Sequence, residues 1–136
     1  MPEPAPFDTP ALHALVPFAA LLGLRVAATS PDEVRVELDH RPDLCTAAGV
    51  LHGGAIMALA DTAGAVCAFL NLPEGATTTT VESKTNLLAA VRDGVLAARA
   101  TPLHVGSSLI VVETELRRAD GRLAAKTTQT QAVLRG

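Results

Sequence analysis

The spacing of hydrophobic positions changes character along the chain. Thr9-Pro10 offers a helix N-cap followed by a proline suited to the first helical position, and Leu12, Leu15 and Val16 form a short apolar stripe behind it. Pro17 ends or kinks that helix, Phe18 to Leu22 make a second short turn, and Gly23 stops it. The period then becomes two. Val34, Val36 and Leu38 alternate with Arg35, Glu37 and Asp39, which predicts a half-buried strand entered through the Ser30-Pro31-Asp32 turn. Residues 41–49 are irregular. A long helix follows from His52 to Leu70, apolar almost all the way round. Strands are expected again over Thr77–Leu88, Val95–Thr101, Ser108–Arg117 and Arg122–Leu134, with turns at Arg92-Asp93-Gly94 and Ala119-Asp120-Gly121. The predicted order is strand, helix, four strands. Short links between those four imply antiparallel neighbours, and the helix must pack on one face of their sheet.

A chain of 136 residues makes one domain of ordinary size. It has no Trp or Tyr and only 3 Phe, so aliphatic side chains fill the core and the stacking platforms of single-strand nucleic-acid binders are missing. A formal net charge of -3 leaves no basic footprint for duplex binding, so no nucleic-acid partner is expected. Val50–Leu72 contains His52, Asp61, Asn71 and glycines, and lacks flanking basic anchors, so a membrane span is not expected. The start at Met1 has no basic and apolar leader pattern, and two cysteines, Cys45 and Cys67, make no disulfide framework. The expected location is cytoplasmic.

Three features interrupt the apolar helix. Gly53-Gly54 opens it, where bare amides carry partial positive charge; the pair either shapes a turn or lets a ligand oxygen approach the N–H. Asp61 is the only charge between Asp43 and Glu74. It either bonds a nearby backbone group or hydroxyl such as Thr62, or serves as general base or nucleophile. His52 caps, packs or touches a ligand. His13, His40 and His104 are scattered, so no metal site is expected. Gly53 and Asp61 stand eight residues apart, about 12 Å along a helix, too far to touch one small group from within one chain. If both act on one carbonyl, two helices face each other in opposite senses across a homodimer interface.

The pattern Gly49-x-x-His52-Gly53-Gly54 followed by Leu59-Ala60-Asp61-x-Ala63 resembles the hot-dog thioesterases of the phenylacetate-degradation (PaaI-like) group. Pro17-Phe18, Leu22-Gly23-Leu24, Thr80-Val81-Glu82, Asn86-Leu87-Leu88 and Asp120-Gly121-Arg122-Leu123-Ala124 extend the resemblance over about residues 17–134. It implies an α+β hot-dog fold, an antiparallel sheet wrapped around one long helix, over residues 17–136, with residues 1–16 as a tail and short helix. It also implies an acyl-CoA substrate, a homodimer paired into a dimer of dimers, and no cofactor. By that resemblance the Gly53 amide polarises the thioester carbonyl and Asp61 of the other subunit attacks it or activates water. Thr80 assists, and Thr46 stands where the family often has Asn. Substrate contacts are implied for His52, Gly54, Thr79, Asn86, Gly106 and Ser107, with Arg92, Arg117 and Arg118 as further candidates for the nucleotide. The chain departs from the family pattern at Thr46, at Leu87 and Ala90, and at Gly106-Ser107-Ser108, where basic residues are usual. The resemblance implies a thioester hydrolase; the alternative is a hot-dog protein that binds acyl-CoA or a small ligand without cleaving it. A hydratase needs a His and carboxylate acting together, and no such pair is visible. A serine hydrolase is disfavoured, since Gly-x-Ser-x-Gly is absent.

Overall fold

The computed structural model describes residues 7–136, so most of the tail expected over 1–9 lies outside the described residues. The first helix, α1 (Thr9–Leu15), is capped one residue earlier than the sequence suggested. The Asp8 carboxylate accepts the Ala11 N–H at 3.0 Å. Thr9 Oγ1 instead accepts from Val26 N–H at 2.9 Å and ties the helix to the first strand. A carboxylate at this position gains from the helix dipole as well as from the bond, so it takes the cap over a hydroxyl. The second helix, α2 (Pro17–Leu22), starts at its proline, one residue before the expected Phe18, and ends in left-handed Gly23 as expected.

Six strands follow the two short helices: β1 (Arg25–Thr29), β2 (Val34–Asp39), β3 (Ala76–Leu87), β4 (Val95–Val105), β5 (Leu109–Arg117) and β6 (Leu123–Arg135). The long helix α3 (Gly53–Leu70) lies between β2 and β3. Every pairing is antiparallel, in the order β1-β2-β4-β5-β6-β3. The strand β1 was missed because it carries no alternation; it is short, exposes two alanines and bulges between Val26 and Ala28.

The order also corrects the expectation that the last four strands are successive neighbours. Hairpins join β4, β5 and β6, but β3 pairs with β6 at the far edge of the sheet. Residues 88–94 cross the end of the sheet instead of turning back. Leu88 and Ala89 N–H both bond the Ala124 carbonyl, and the Val91 carbonyl accepts Leu51 N–H. A stretch of that length reaches roughly 20 Å, enough for three interstrand steps of about 4.8 Å. Its shortness therefore does not enforce a hairpin.

The apolar period now has a physical partner. Ile56, Leu59, Ala63, Val66 and Cys67 of α3 are buried, as are the inward residues Val36, Leu38, Leu96, Ile110 and Val112 of the sheet that the helix packs across. Burial pushes the Cys67 thiol up to about 11, which suits a small core residue and not a nucleophile. The outward face carries ion pairs such as Arg99–Glu33, Arg117–Glu115 and Lys126–Glu113. This is the hot-dog α+β architecture.

One expectation about the helix fails. A helix apolar all round was read as buried all round, yet one flank of α3 is bare: Met57 is 42% exposed, Phe69 is 49% exposed, and Asp61 lies between them. By length and composition α3 also passes for a membrane span; here that apolarity covers the sheet on one side and forms an uncovered stripe on the other.

Thr114 supplies a test of the core. It is fully buried on β5 and its hydroxyl has no partner. Thr114→Val keeps the shape and removes a desolvated hydroxyl, so stability should rise by about 1 kcal/mol, read as a higher melting temperature. A fall of similar size would show that the hydroxyl has a partner.

Candidate functional site

The loop before α3 is shaped by two left-handed residues, Ala48 (φ 65) and Gly49 (φ 71). It delivers His52 to the N-cap, where Nδ1 accepts the Gly54 N–H at 2.7 Å. Of the roles open to His52, capping is the one realised. The glycines leave room for neighbouring side chains. A Cβ at Gly54 would sit 2.9 Å from the His52 ring, and one at Gly53 would sit 2.7 Å from Leu87 Cδ1. Ala55 and Ile56 N–H return to the His52 carbonyl. The Gly53 N–H has no acceptor among the described residues. It lines a cleft of about 340 Å³ together with Thr46, Leu51, Ile56 and Leu87. An unmatched amide at a helix N-terminus, carrying the positive end of the dipole, is suited to hold a developing oxyanion.

Asp61 lies two turns further on, on the bare flank. Its predicted partner Thr62 is engaged elsewhere, donating to the Ala58 carbonyl at 2.8 Å. Asp61 lines two other clefts. One, of about 420 Å³, is shared with Gly54, Met57, Thr80 and Ser83. The other, of about 230 Å³, is apolar and shared with Leu15, Val16, Val66 and Phe69. The carboxylate Oδ1 stands 3.3 Å from Gln129 Nε2 and 3.4 Å from Thr80 Oγ1. Thr80 makes a shorter bond, 2.6 Å, to Gln131 Oε1.

Gln129 and Gln131 are 0% and 1% exposed, and sequence reasoning missed both. The available signal was Gln129-Thr130-Gln131 on a strand whose alternate residues must face the helix.

The structure brings together only some of the predicted residues. Thr46 joins Gly53, and Thr80 and Gly54 join Asp61, but Gly53 and Asp61 share no cleft. Strand alternation puts Thr79 on the face opposite Thr80. Asn86 pairs with Lys126, on the outward side of the sheet, away from α3. Gly106 and Ser107 form the β4–β5 turn; Gly106 N–H bonds the Leu109 carbonyl and the Ser107 carbonyl accepts from Arg135. Among the cationic candidates, Arg117 and Arg118 are engaged by Glu115 and Asp120, whereas Arg92 makes no ion pair among the described residues. The Arg118 hydrogen bond holds the Asp120 carboxyl down at about 2.

Comparison with known proteins converges on one family. The profile of the thioesterase superfamily matches residues 48–125, from the turn before α3 into β6. A Haemophilus influenzae relative with a provisional esterase name is 35% identical over 115 residues, 83% of this chain and 82% of its own length. A solved thioesterase from Haemophilus influenzae superposes with a TM-score of 0.83 at 30% identity, over 87% of this chain and 82% of that one. A thioesterase family protein from Silicibacter pomeroyi gives 0.85 at 31% identity, over 91% and 93%. The 1,4-dihydroxy-2-naphthoyl-CoA hydrolase of Escherichia coli is 33% identical over 86 residues, 63% of each chain.

The cap itself is testable. His52→Ala removes the acceptor for Gly54 N–H, and unfolding should become easier by about 1 kcal/mol in urea titration. No change in midpoint would mean the ring does not cap.

Proposed function

The chain belongs to the thioesterase superfamily, and from that premise we propose that it hydrolyses acyl-CoA thioesters to CoA and a free carboxylic acid. The observation that carries this reading is a helix with an unmatched Gly53 N–H at its start and a carboxylate, Asp61, two turns along an uncovered flank. An acyl transfer to water needs both: a donor where the carbonyl oxygen gains charge, and a carboxylate that attacks the carbonyl carbon or takes a proton from the attacking water.

Within one chain the two groups open into different clefts. A second copy supplies the missing half. The bare stripe of α3 lies beside β3, an edge strand of 12 residues whose outer side has no partner and whose Val81 is 59% exposed. Two copies related by a two-fold axis pair these edges and run their α3 helices in opposite senses. Gly53 of one copy then meets Asp61 of the other, twice per dimer. Thr46 lies beside Gly53 and Thr80 beside Asp61, so both enter the composite site. In this reading the acyl group takes the apolar cleft at Leu15, Val16, Val66 and Phe69. The Escherichia coli hydrolase named for a naphthoyl thioester, and the sequence resemblance to the phenylacetate-degradation group, support an aromatic acyl-CoA.

Free-thiol release from a panel of aryl-acetyl, benzoyl and medium-chain CoA thioesters tests the activity. Asp61→Asn should keep the fold and lose at least about 100-fold in kcat, the loss typical of removing a charge-handling group from a transition state. Saturable binding of acyl-CoA with no thiol released by the wild-type chain would mean a binding protein instead.

The composite site has its own test. Asp61→Asn and Gly53→Val should each be inactive alone. Co-expressed, they form hybrid dimers in which one site holds both intact halves, so activity should return to roughly a quarter of wild type by random pairing. Absence of recovery in a proven hybrid would place donor and carboxylate in one chain.

A further inference from the structure

We propose that Gln129 is a positioning residue for Asp61: its carboxamide N–H holds carboxylate Oδ1 and leaves Oδ2 to face the thioester. The proposal rests on the thioesterase reading and adds a residue to it.

The Ala132 main-chain carbonyl can only accept. It accepts the Thr78 hydroxyl at 2.8 Å. With its only proton committed, Thr78 Oγ1 acts as an acceptor, and Gln131 Nε2 donates to it at 3.2 Å. That settles which end of the Gln131 amide is which. Its Oε1 points the other way and accepts the Thr80 hydroxyl at 2.6 Å and Gln129 Nε2 at 3.0 Å. Gln129 must therefore present its NH2 group here. One proton goes to Gln131, and the second faces Asp61 Oδ1 at 3.3 Å. Turning the Gln129 amide over would set its oxygen against two acceptors, Gln131 Oε1 and Asp61 Oδ1, with the Thr80 hydroxyl proton already directed to Gln131. Thr80 also approaches Asp61, at 3.4 Å, but it has a single proton and a shorter bond to Gln131. Gln129 is thus the committed donor to the carboxylate, and Thr80 braces the Gln131 oxygen.

Two sacrifices of stability surround this one side chain. Gln129 Oε1 is buried and has no donor among the described residues. It lies against Gly64, where a Cβ would come within 2.0 Å of it. Glycine in the middle of a helix is unfavourable relative to alanine, and so is an unmatched buried acceptor. Alanine on α3 against an apolar residue on β6 would remove both penalties. Both are met where the relay from the Ala132 carbonyl reaches the reactive carboxylate, and no hydrogen bond engages Oδ2 among the described residues.

Gln129→Met keeps the length and removes the donor. In the free-thiol assay kcat should fall about 10- to 100-fold, the loss expected from a misplaced reactive group, with KM within about twofold of wild type. In an Asp61→Asn background the same change should cost nothing further. Gly64→Ala, which pushes the carboxamide aside with Gln129 still present, should reproduce the kcat loss. It stands as the deciding variant if Q129M does not fold. Unchanged kcat, a loss confined to KM, or an equal loss in the Asp61→Asn background would overturn the positioning role. Wild-type and Asp61→Asn enzymes run alongside separate the two levels. A silent wild type or a fully active D61N removes the thioesterase reading and this proposal with it. An inactive D61N beside a fully active Q129M removes the proposal alone.

Discussion

The whole molecule depends on one helix being buried along one flank and bare along the other. The sheet needs α3 as its cover, because a single antiparallel layer with an apolar face cannot stay folded in water on its own. Leu59, Ala63 and Cys67 meet that need. The opposite flank keeps Met57 and Phe69 exposed, a poor outcome for an isolated chain at roughly 25 cal/mol per Å² of apolar surface left in water. The small residues along this flank, Gly54, Ala58 and Ala65, leave room for another backbone to come close. The same helix therefore has one flank in the core and one uncovered, and on the proposed reading the uncovered flank is an interface, which accounts for a sequence with no polar face.

The polar strip on β6 is the other constraint. Gln129 and Gln131 point inward opposite the aliphatic Val112 and Ile110 of β5, and Thr127 lies opposite the buried Thr114. Such groups are tolerated only when their hydrogen bonds are met. Most are: Thr127 bonds Thr85 at 2.7 Å, and Gln131 is engaged at both ends. The strip sits under the Asp61 half of α3 and connects the helix to the edge strand β3. It fixes the edge strand and the carboxylate in one network, so any partner that pairs with β3 meets Asp61 in a set orientation.

Much of this was legible in the chain. The alternation of Val34 to Leu38 and of Ile110 to Leu116 located two core strands, because each has one buried and one wet face. The His52-Gly53-Gly54 turn and Asp61 stood out because a helix start and a charge are rare on an apolar ground. What failed was whatever depends on distant partners. The position of β3 follows from pairing with β6, some fifty residues away, and the Arg92-Asp93-Gly94 turn signal within residues 88–94 does not tell a crossing from a hairpin. The short β1 has no alternating pattern, since Val26 packs against the core while Ala27 and Ala28 are both exposed. Asp61 was open to a local partner such as Thr62 or to a chemical role, and nothing local showed that its flank of α3 is uncovered. Gln129 comes under Asp61 only through the register of β6, which the run Gln129-Thr130-Gln131 does not show by itself.

The separation of Gly53 from Asp61 has a consequence for how folding and chemistry relate in this chain. A chain that held donor and carboxylate together would need both near one buried cavity, and the carboxylate would lose its hydration on folding. Here the carboxylate stays on an open flank, so that loss is deferred. On the proposed reading it falls at association, when a second helix covers Asp61 and excludes water from the cleft. The apolar stripe that exposes Met57 and Phe69 supplies the favourable term that offsets it. Covering the stripe and desolvating the reactive pair are then one event, and the low dielectric that strengthens the Gly53 amide's hold on an oxyanion arises only where both halves of the site are present.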